Sequence, residues 1–379
     1  VQHACPLEPA VLESVVKKFV LSRTASTDLS GAMNFPVTFV LIVCMIGLMQ
    51  LVPTDAQYTG PTLACGGTSL VKSTTLISPN NIAADGLTCV YTIRSLNLRV
   101  CQLRLDFNSF SLGQPTLDPY PRCINDVFHV QNLNFDLCGE NTGQHLYVPF
   151  NPTSADRTMT ITFRIASRSR IPTLTNPHWS IQVQQLECPT VTAPAAAPVA
   201  KEAVRQLADP EMLPQVARTL HSTDIGLLAP NGCLQYFTGS SGTVESFNLG
   251  GGVGPYLGGL NYAICFQRRR SNHHLRLTPT TFEIASSANP TVENPGLDEL
   301  CYSNIEVMGR SEDNLHIPNA VVHLPAFPTL RASRFCSRSL VNGEIDVSAP
   351  GPFMMYFNSD DQFDPFHRET GFSMHYEIF

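Results

Sequence analysis

Residues 101–107 read Cys101-Gln102-Leu103-Arg104-Leu105-Asp106-Phe107. Apolar and polar side chains alternate at period two, which on a strand sends Leu103, Leu105 and Phe107 to one face and Gln102, Arg104 and Asp106 to the other. A strand with one apolar face must bury it against a second layer. The pattern recurs in Met159, Ile161, Phe163 and Ile165, and in Trp179, Ile181 and Val183. It returns far downstream in Leu260, Tyr262, Ile264 and Phe266, and in Phe372, Met374, Tyr376 and Ile378. Turn-forming residues separate these runs, and 29 prolines with 24 glycines fit a loop-rich architecture better than helices. The reading is an all-β chain of antiparallel sandwiches.

Twelve cysteines raise the question of compartment. After Met33-Asn34-Phe35-Pro36 an apolar run extends from Val37 to Val52, followed by Thr54-Asp55-Ala56. Small residues at Thr54 and Ala56 make residues 33–56 read as a signal peptide cut before Gln57. The alternative is a signal anchor, in which residues 36–53 stay in the bilayer and Lys17, Lys18 and Arg23 remain cytoplasmic, a type II arrangement. Residues 1–32 read as a leader without structure of its own. Ten cysteines lie beyond Gln57, an even number that fits five disulfides in an oxidising compartment.

Two cysteine-bearing blocks then emerge, residues 60–188 and 229–379. Residues 189–228 join them, opening with the uncharged Ala/Pro/Val/Thr stretch 189–200, which reads as a semi-rigid spacer. Val204, Leu207, Leu213, Val216 and Leu220, interrupted by Pro210 and Pro214, read as a short helical stretch within it.

The first block resembles the CUB domain, an extracellular jelly-roll type β-sandwich used for protein and sometimes glycan recognition. The residues that carry the likeness are Cys65-Gly66-Gly67, Cys89-Val90-Tyr91-Thr92-Ile93, Leu103 to Phe107, Phe110-Ser111-Leu112, Cys123-Ile124-Asn125-Asp126 and Leu137-Cys138-Gly139. The resemblance implies bridges Cys65–Cys89 and Cys123–Cys138, and leaves Cys101 and Cys188 to pair. The second block is similar to a divergent CUB-like domain that follows a CUB domain in many arthropod secreted proteins. That likeness rests on Gly232 to Tyr236, Ser246-Phe247-Asn248, Tyr262 to Phe266, Arg334-Phe335-Cys336, Ser359-Asp360 and Gly371 to Tyr376. It implies Cys233–Cys265 and Cys301–Cys336. A further cysteine near His273 or His274 and a terminal partner are absent, which reads as placing Phe379 near the natural end. Lacking a bridge of the kind worth about 2–4 kcal/mol, the second block should be the less stable half unless packing compensates.

Many CUB domains hold calcium through a Glu, an Asp three residues after a cysteine and a late Ser-Asp pair, since a hard cation needs several oxygens. In the first block only Asp126 matches, and Ala166-Ser167 stands where the late pair belongs, so that site reads as dismantled. In the second block Asp360 matches the late position, Asp361 adds a carboxylate, Asn304 replaces the middle Asp and Glu283 is the candidate third ligand. Calcium there is the sole cofactor expectation, against the simpler reading of solvated turn residues. His273-His274, His316 and His323 lack metal-type spacing and read as surface residues. Arg268-Arg269-Arg270 reads as a solvated hairpin tip, and Gly250-Gly251-Gly252 as a loop lacking the ending of a phosphate-binding motif.

No His-Glu-x-x-His helix and no Gly-x-Ser-x-Gly elbow is present, so the chain reads as non-catalytic, with no catalytic residues. A net charge of -7 with only 15% charged residues argues against a nucleic-acid partner. No Asn-x-Ser/Thr sequon survives, since Asn151 and Asn289 precede proline. The expectation is a secreted protein that binds an extracellular protein, or a glycan. The alternatives are a self-associating component of a matrix or secretion, and a non-catalytic arm of a protease system.

Overall fold

The computed structural model describes residues 60–80, 82, 85–150, 157–189, 224–250, 254–268, 273–285, 296–301, 313–325, 327, 329–362 and 369–379. Residues 1–56, most of the 189–228 joint and Asn304 therefore lie outside them. Among the described residues nine strands make the first half: β1 (Thr62–Leu63), β2 (Thr68–Ser69), β3 (Ser73–Ile77), β4 (Leu87–Arg94), β5 (Val100–Ser111), β6 (Val127–Val130), β7 (His145–Pro149), β8 (Thr158–Ile165) and β9 (His178–Glu187). They form two sheets, β1-β3-β9-β5-β7 and β2-β4-β8-β6. Leu103, Leu105 and Phe107 of β5 are buried as the alternation requires. A bulge between Phe107 and Ser109 then resets the phase and turns Phe110 inward. Trp179, the sole tryptophan, stacks on Phe163 with ring centroids 3.9 Å apart. Its indole N–H reaches the Tyr91 hydroxyl at 3.0 Å, and that hydroxyl donates to the Ile77 carbonyl at 2.5 Å. This buried polar chain is thereby satisfied.

The second half repeats the plan with β10 (Cys233–Phe237), β11 (Ser241–Glu245), β12 (Asn261–Phe266), β13 (His274–Glu283), β14 (Asn314–His316), β15 (Ala320–His323), β16 (Leu330–Arg331), β17 (Arg334–Phe335), β18 (Glu344–Ser348), β19 (Phe353–Asn358) and β20 (Gly371–Ile378). The sheets are β10-β12-β19-β14-β17 and β11-β20-β13-β18-β15-β16. Strand by strand, β2-β4-β8-β6 corresponds to β10-β12-β19-β14. Each opens with a parallel pair and continues antiparallel. The chain is an all-β protein of two sandwiches. Among the described residues the only helical turn is the 3₁₀ segment Asp298–Cys301, and no helix is long and apolar enough to cross a membrane.

The sandwiches meet along a seam where β7 lies against β10. Gln102 and Ala229 exchange two hydrogen bonds, at 2.8 and 3.0 Å. Gln235 donates to Gln144 at 2.7 Å, and the Tyr236 backbone N–H donates to His145 Nε2 at 2.9 Å. Asn248 clasps the other side: its N–H donates to Asn141, its Oδ1 accepts the Glu140 N–H, and its amide donates to Gln114. A Cβ on Gly139 would sit 1.8 Å from Asn248 Oδ1, so only glycine permits this approach. Phe135 of the first sandwich lies 6.3 Å from both Phe247 and Tyr262, joining the two cores.

Candidate functional site

Five disulfides staple the described residues: Cys65–Cys89, Cys101–Cys188, Cys123–Cys138, Cys233–Cys265 and Cys301–Cys336. Their Cα separations lie between 5.2 and 5.8 Å, as cross-linking requires. Cys101–Cys188 ties the start of β5 to the end of β9, and Cys233–Cys265 links the parallel pair β10 and β12. Cys123–Cys138 bridges two turns flanking β6.

At one end of the first sandwich stands Asp126, fully buried immediately before β6. Its Oδ2 accepts the Gly113 N–H at 2.7 Å and its Oδ1 the Ala166 N–H at 3.1 Å. Arg168 closes on it as a fork, at 2.6 Å to Oδ1 and 2.5 Å to Oδ2, and also donates to the carbonyls of Ala166 and Thr175. A bidentate guanidinium is the strongest partner a buried carboxylate can have within a protein. The positive charge that a metal would bring is already supplied by Arg168, so these residues do not fit a calcium ion. Nothing about Arg168 stood out in the sequence, because its role depends on the turn after β8 folding back over Asp126.

In the second sandwich Asp313 stands at the corresponding position, and Asn304 lies outside the described residues. Asp313 immediately precedes β14, as Asp126 precedes β6. It accepts the Asp360 N–H just beyond β19 at 2.6 Å, as Asp126 accepts the Ala166 N–H beyond β8. The motif places the middle carboxylate three residues after a cysteine, and Asp126 obeys it after Cys123. Asp313 comes twelve residues after Cys301, so the insertion hides it. The other Asp313 oxygen accepts the hydroxyl of Tyr256, which itself takes the Ala285 N–H at 2.9 Å. Burial, with the nearby charges of Asp313 and Glu369, pushes the Tyr256 phenol well above its ordinary range. Ser359 locks the turn by donating to the Leu257 carbonyl and accepting the Leu260 N–H.

The remaining candidate ligands are placed as follows. Asp360 accepts the Gln362 N–H at 2.8 Å, Asp361 is exposed, and Glu283 accepts the Thr370 hydroxyl at 3.1 Å. Among the described residues no three His, Cys, Asp or Glu side chains stand close enough to hold a metal ion together. His274, at the start of β13, and His323 instead line an open hollow of about 750 Å³ with Asp298, Arg331 and Asp346. There His323 lies 3.3 Å from Asp346, whose carboxylate also takes Arg276 at 2.9 Å. A second hollow of about 510 Å³ holds the His129–Asp136 pair at 2.8 Å, with Arg164 3.8 Å from the same carboxylate. Arg268 is built in rather than solvated: it donates to the Ala349 and Gly351 carbonyls and lies over the Phe353 ring. Arg269 and Arg270 lie outside the described residues.

Residues 230–379 match the family model of the animal CUB domain, so this part of the chain is a CUB domain. CUB domains are extracellular interaction modules without catalytic machinery of their own. Among solved structures, the chain is similar to the CUB1-EGF-CUB2 domains of rat MASP-1, at 14% identity, 84% of this chain and 100% of that one, TM-score 0.23. It is also similar to the same domains of human MASP-1/3, at 13% identity, 82% and 100% coverage and TM-score 0.21. The full extracellular region of zebrafish Gpr126/Adgrg6 follows at 10% identity, 84% and 37% coverage and TM-score 0.23. At such TM-scores these likenesses bear no weight on function. No curated protein matches the chain.

Proposed function

We propose that the chain is a secreted, non-catalytic binding protein that recognises an extracellular protein partner through its two sandwiches acting as one body. The observation that carries this reading is the seam. Buried Gln102, Gln235, Asn248 and His145 cross it through hydrogen bonds, so the loops of both halves are presented in a fixed relation. A preorganised surface loses less freedom on binding than two tethered modules would. Open hollows flanked by paired charges suit a polar protein face better than a small enclosed ligand.

The test uses the full chain secreted from eukaryotic cells. Sedimentation velocity across a wide concentration range should show a single monomeric species. The immobilised chain should retain an extracellular protein reversibly and uncleaved. An Asn248→Ala, Gln235→Ala variant, with its seam loosened and its disulfides mapped as intact, should release that protein faster. Concentration-dependent polymers without a retained protein would instead assign the chain a self-assembling structural role.

A further inference from the structure

Among the described residues four sheets present eight edges, and seven of them are blunted or covered. β1, β2, β16 and β17 are two-residue strands, too short to template another. β6 is covered by Leu137, which exchanges two backbone hydrogen bonds with Phe128, at 2.8 and 2.9 Å. β7 and β10 lie against each other along the seam. The eighth edge is β11, Ser241-Gly242-Thr243-Val244-Glu245, which has no proline, lysine or bulge to guard it.

Pairing with β20 fixes which way the β11 backbone points. The Ile378 N–H donates to the Ser240 carbonyl at 2.7 Å, and the Ser246 N–H to the Phe372 carbonyl at 2.9 Å. In this antiparallel register the even-numbered residues therefore bond to β20. Ser241 and Thr243 turn both N–H and C=O away from it, and Glu245 turns its N–H the same way. Among the described residues these five groups have no hydrogen-bond partner, and Ser241 and Thr243 are exposed. The Glu245 carbonyl takes Gln144 at 3.4 Å, which closes that end of the edge.

The side chains beside this edge have one sign. Ser241 and Thr243 stand in register with Glu377 and His375 on the solvent face, and no Lys or Arg occurs on β11 or β20. The Glu377 side chain is 54% exposed and lies 3.5 Å from the His375 ring. The cation across from it, Arg276, is already held by Asp346 and Glu344 at 2.9 and 3.1 Å. A strand laid beside β11 places alternate side chains on this face, where Glu245 and Glu377 favour Lys or Arg. Its other side chains fall on the inner face beside Tyr376, whose ring would lie 2.8 Å from a Cβ on Gly242.

We propose that a partner docks by adding an extended segment, with Lys or Arg at alternate positions, to β11 as a further strand of that sheet. This deepens the protein-binding reading above and rests on it for the partner being an extracellular protein.

The probe is a blocked peptide, Lys-Val-Lys-Val-Lys-Val-Lys, titrated into the full secreted chain while backbone hydrogen exchange is followed residue by residue. At saturation the Ser241 and Thr243 N–H groups should exchange at least ~10-fold more slowly, because each gains a hydrogen bond. A copy methylated on every backbone nitrogen keeps the charge and should protect neither. Thr243→Pro should bind at least ~10-fold more weakly, since it removes an outward donor where an edge strand tolerates proline. Its circular dichroism and disulfide map should match those of the parent. Glu377→Gln, at an exposed side chain, should also weaken binding, more at low salt than at high. No protection at Ser241 and Thr243 overturns the proposal, as does equal protection by the methylated copy or undiminished binding by both variants. Protection that grows with chain concentration alone would give the edge to a second copy and overturn it too. Retention of an extracellular protein unaffected by Thr243→Pro overturns the proposal and leaves the protein-binding reading standing. Failure to retain any protein, with peptide protection intact, overturns that reading and supports β11 as a strand acceptor.

Discussion

Asp126 and Asp313 occupy the same place in two copies of one plan, and their surroundings differ. Each sits before the last strand of its four-strand unit and accepts a backbone N–H from the turn after the neighbouring strand. Asp126 faces a guanidinium that forks onto both oxygens; Asp313 faces the hydroxyl of a buried tyrosine. The first sandwich thus carries its own counter-charge in Arg168, whereas the contacts described at Asp313 include a backbone N–H and a buried phenol. One fold position can be closed by an internal ion pair or by a hydrogen-bonded network. The choice decides how much stability hangs on it.

The largest effect should come from breaking the ion pair. Arg168→Gln leaves Asp126 charged and buried with only two amide donors, which should cost about 3–5 kcal/mol. Urea unfolding read by tryptophan fluorescence reports it, because the sole tryptophan lies in that sandwich. Asp126→Leu combined with Arg168→Met should recover most of the loss, since removing both charges together leaves no orphan. A double variant as unstable as the single one would show that packing, and not charge, holds this turn.

A second effect tests the seam through which the comparison holds. His145 accepts the Tyr236 N–H through Nε2, which requires a neutral ring at that nitrogen. Burial first, and the Arg104 charge next, lower its pKa to about 4, although Asp106 and the Tyr236 bond oppose them. The folded pKa lies below the unfolded value near 6.5, so the unfolded chain takes the proton first. Stability tied to His145 is whole above about pH 6.5 and is lost as pH falls towards 4, by about 3 kcal/mol. Chemical unfolding at a series of pH values measures this. His145→Gln should flatten that part of the profile, and an unchanged slope would move the acid sensitivity to another group.

Much of the fold was legible because alternation is a local signal. The phase of Leu103, Leu105 and Phe107, and of Phe372, Met374, Tyr376 and Ile378, names the buried face without knowledge of any partner strand. The seam was not legible. Gln102 reads as an outward polar residue of β5, yet it is buried against Ala229, because period two cannot tell a solvent face from one covered by a second sandwich. Arg168 and Asp313 escaped for a related reason. Each acts through a turn whose closure is set by tertiary packing, and the inserted residues after Cys301 shifted Asp313 out of the spacing that marks Asp126.

The smallest effect sharpens the contrast most. Asp313→Asn preserves shape and one carbonyl oxygen, which can still accept the Asp360 N–H. The new amide N–H₂ would then face Tyr256, whose hydroxyl can turn from donor to acceptor and keep the contact. What disappears is the charge on one hydrogen bond, so the cost should be about 1–2 kcal/mol, well below that of Arg168→Gln. Thermal and urea unfolding of both variants under one condition give the ratio directly. If Asp313→Asn proved as damaging as Arg168→Gln, the second carboxylate would need a cationic partner too. A small cost would instead show that a hydroxyl and an amide suffice where the first sandwich uses a guanidinium.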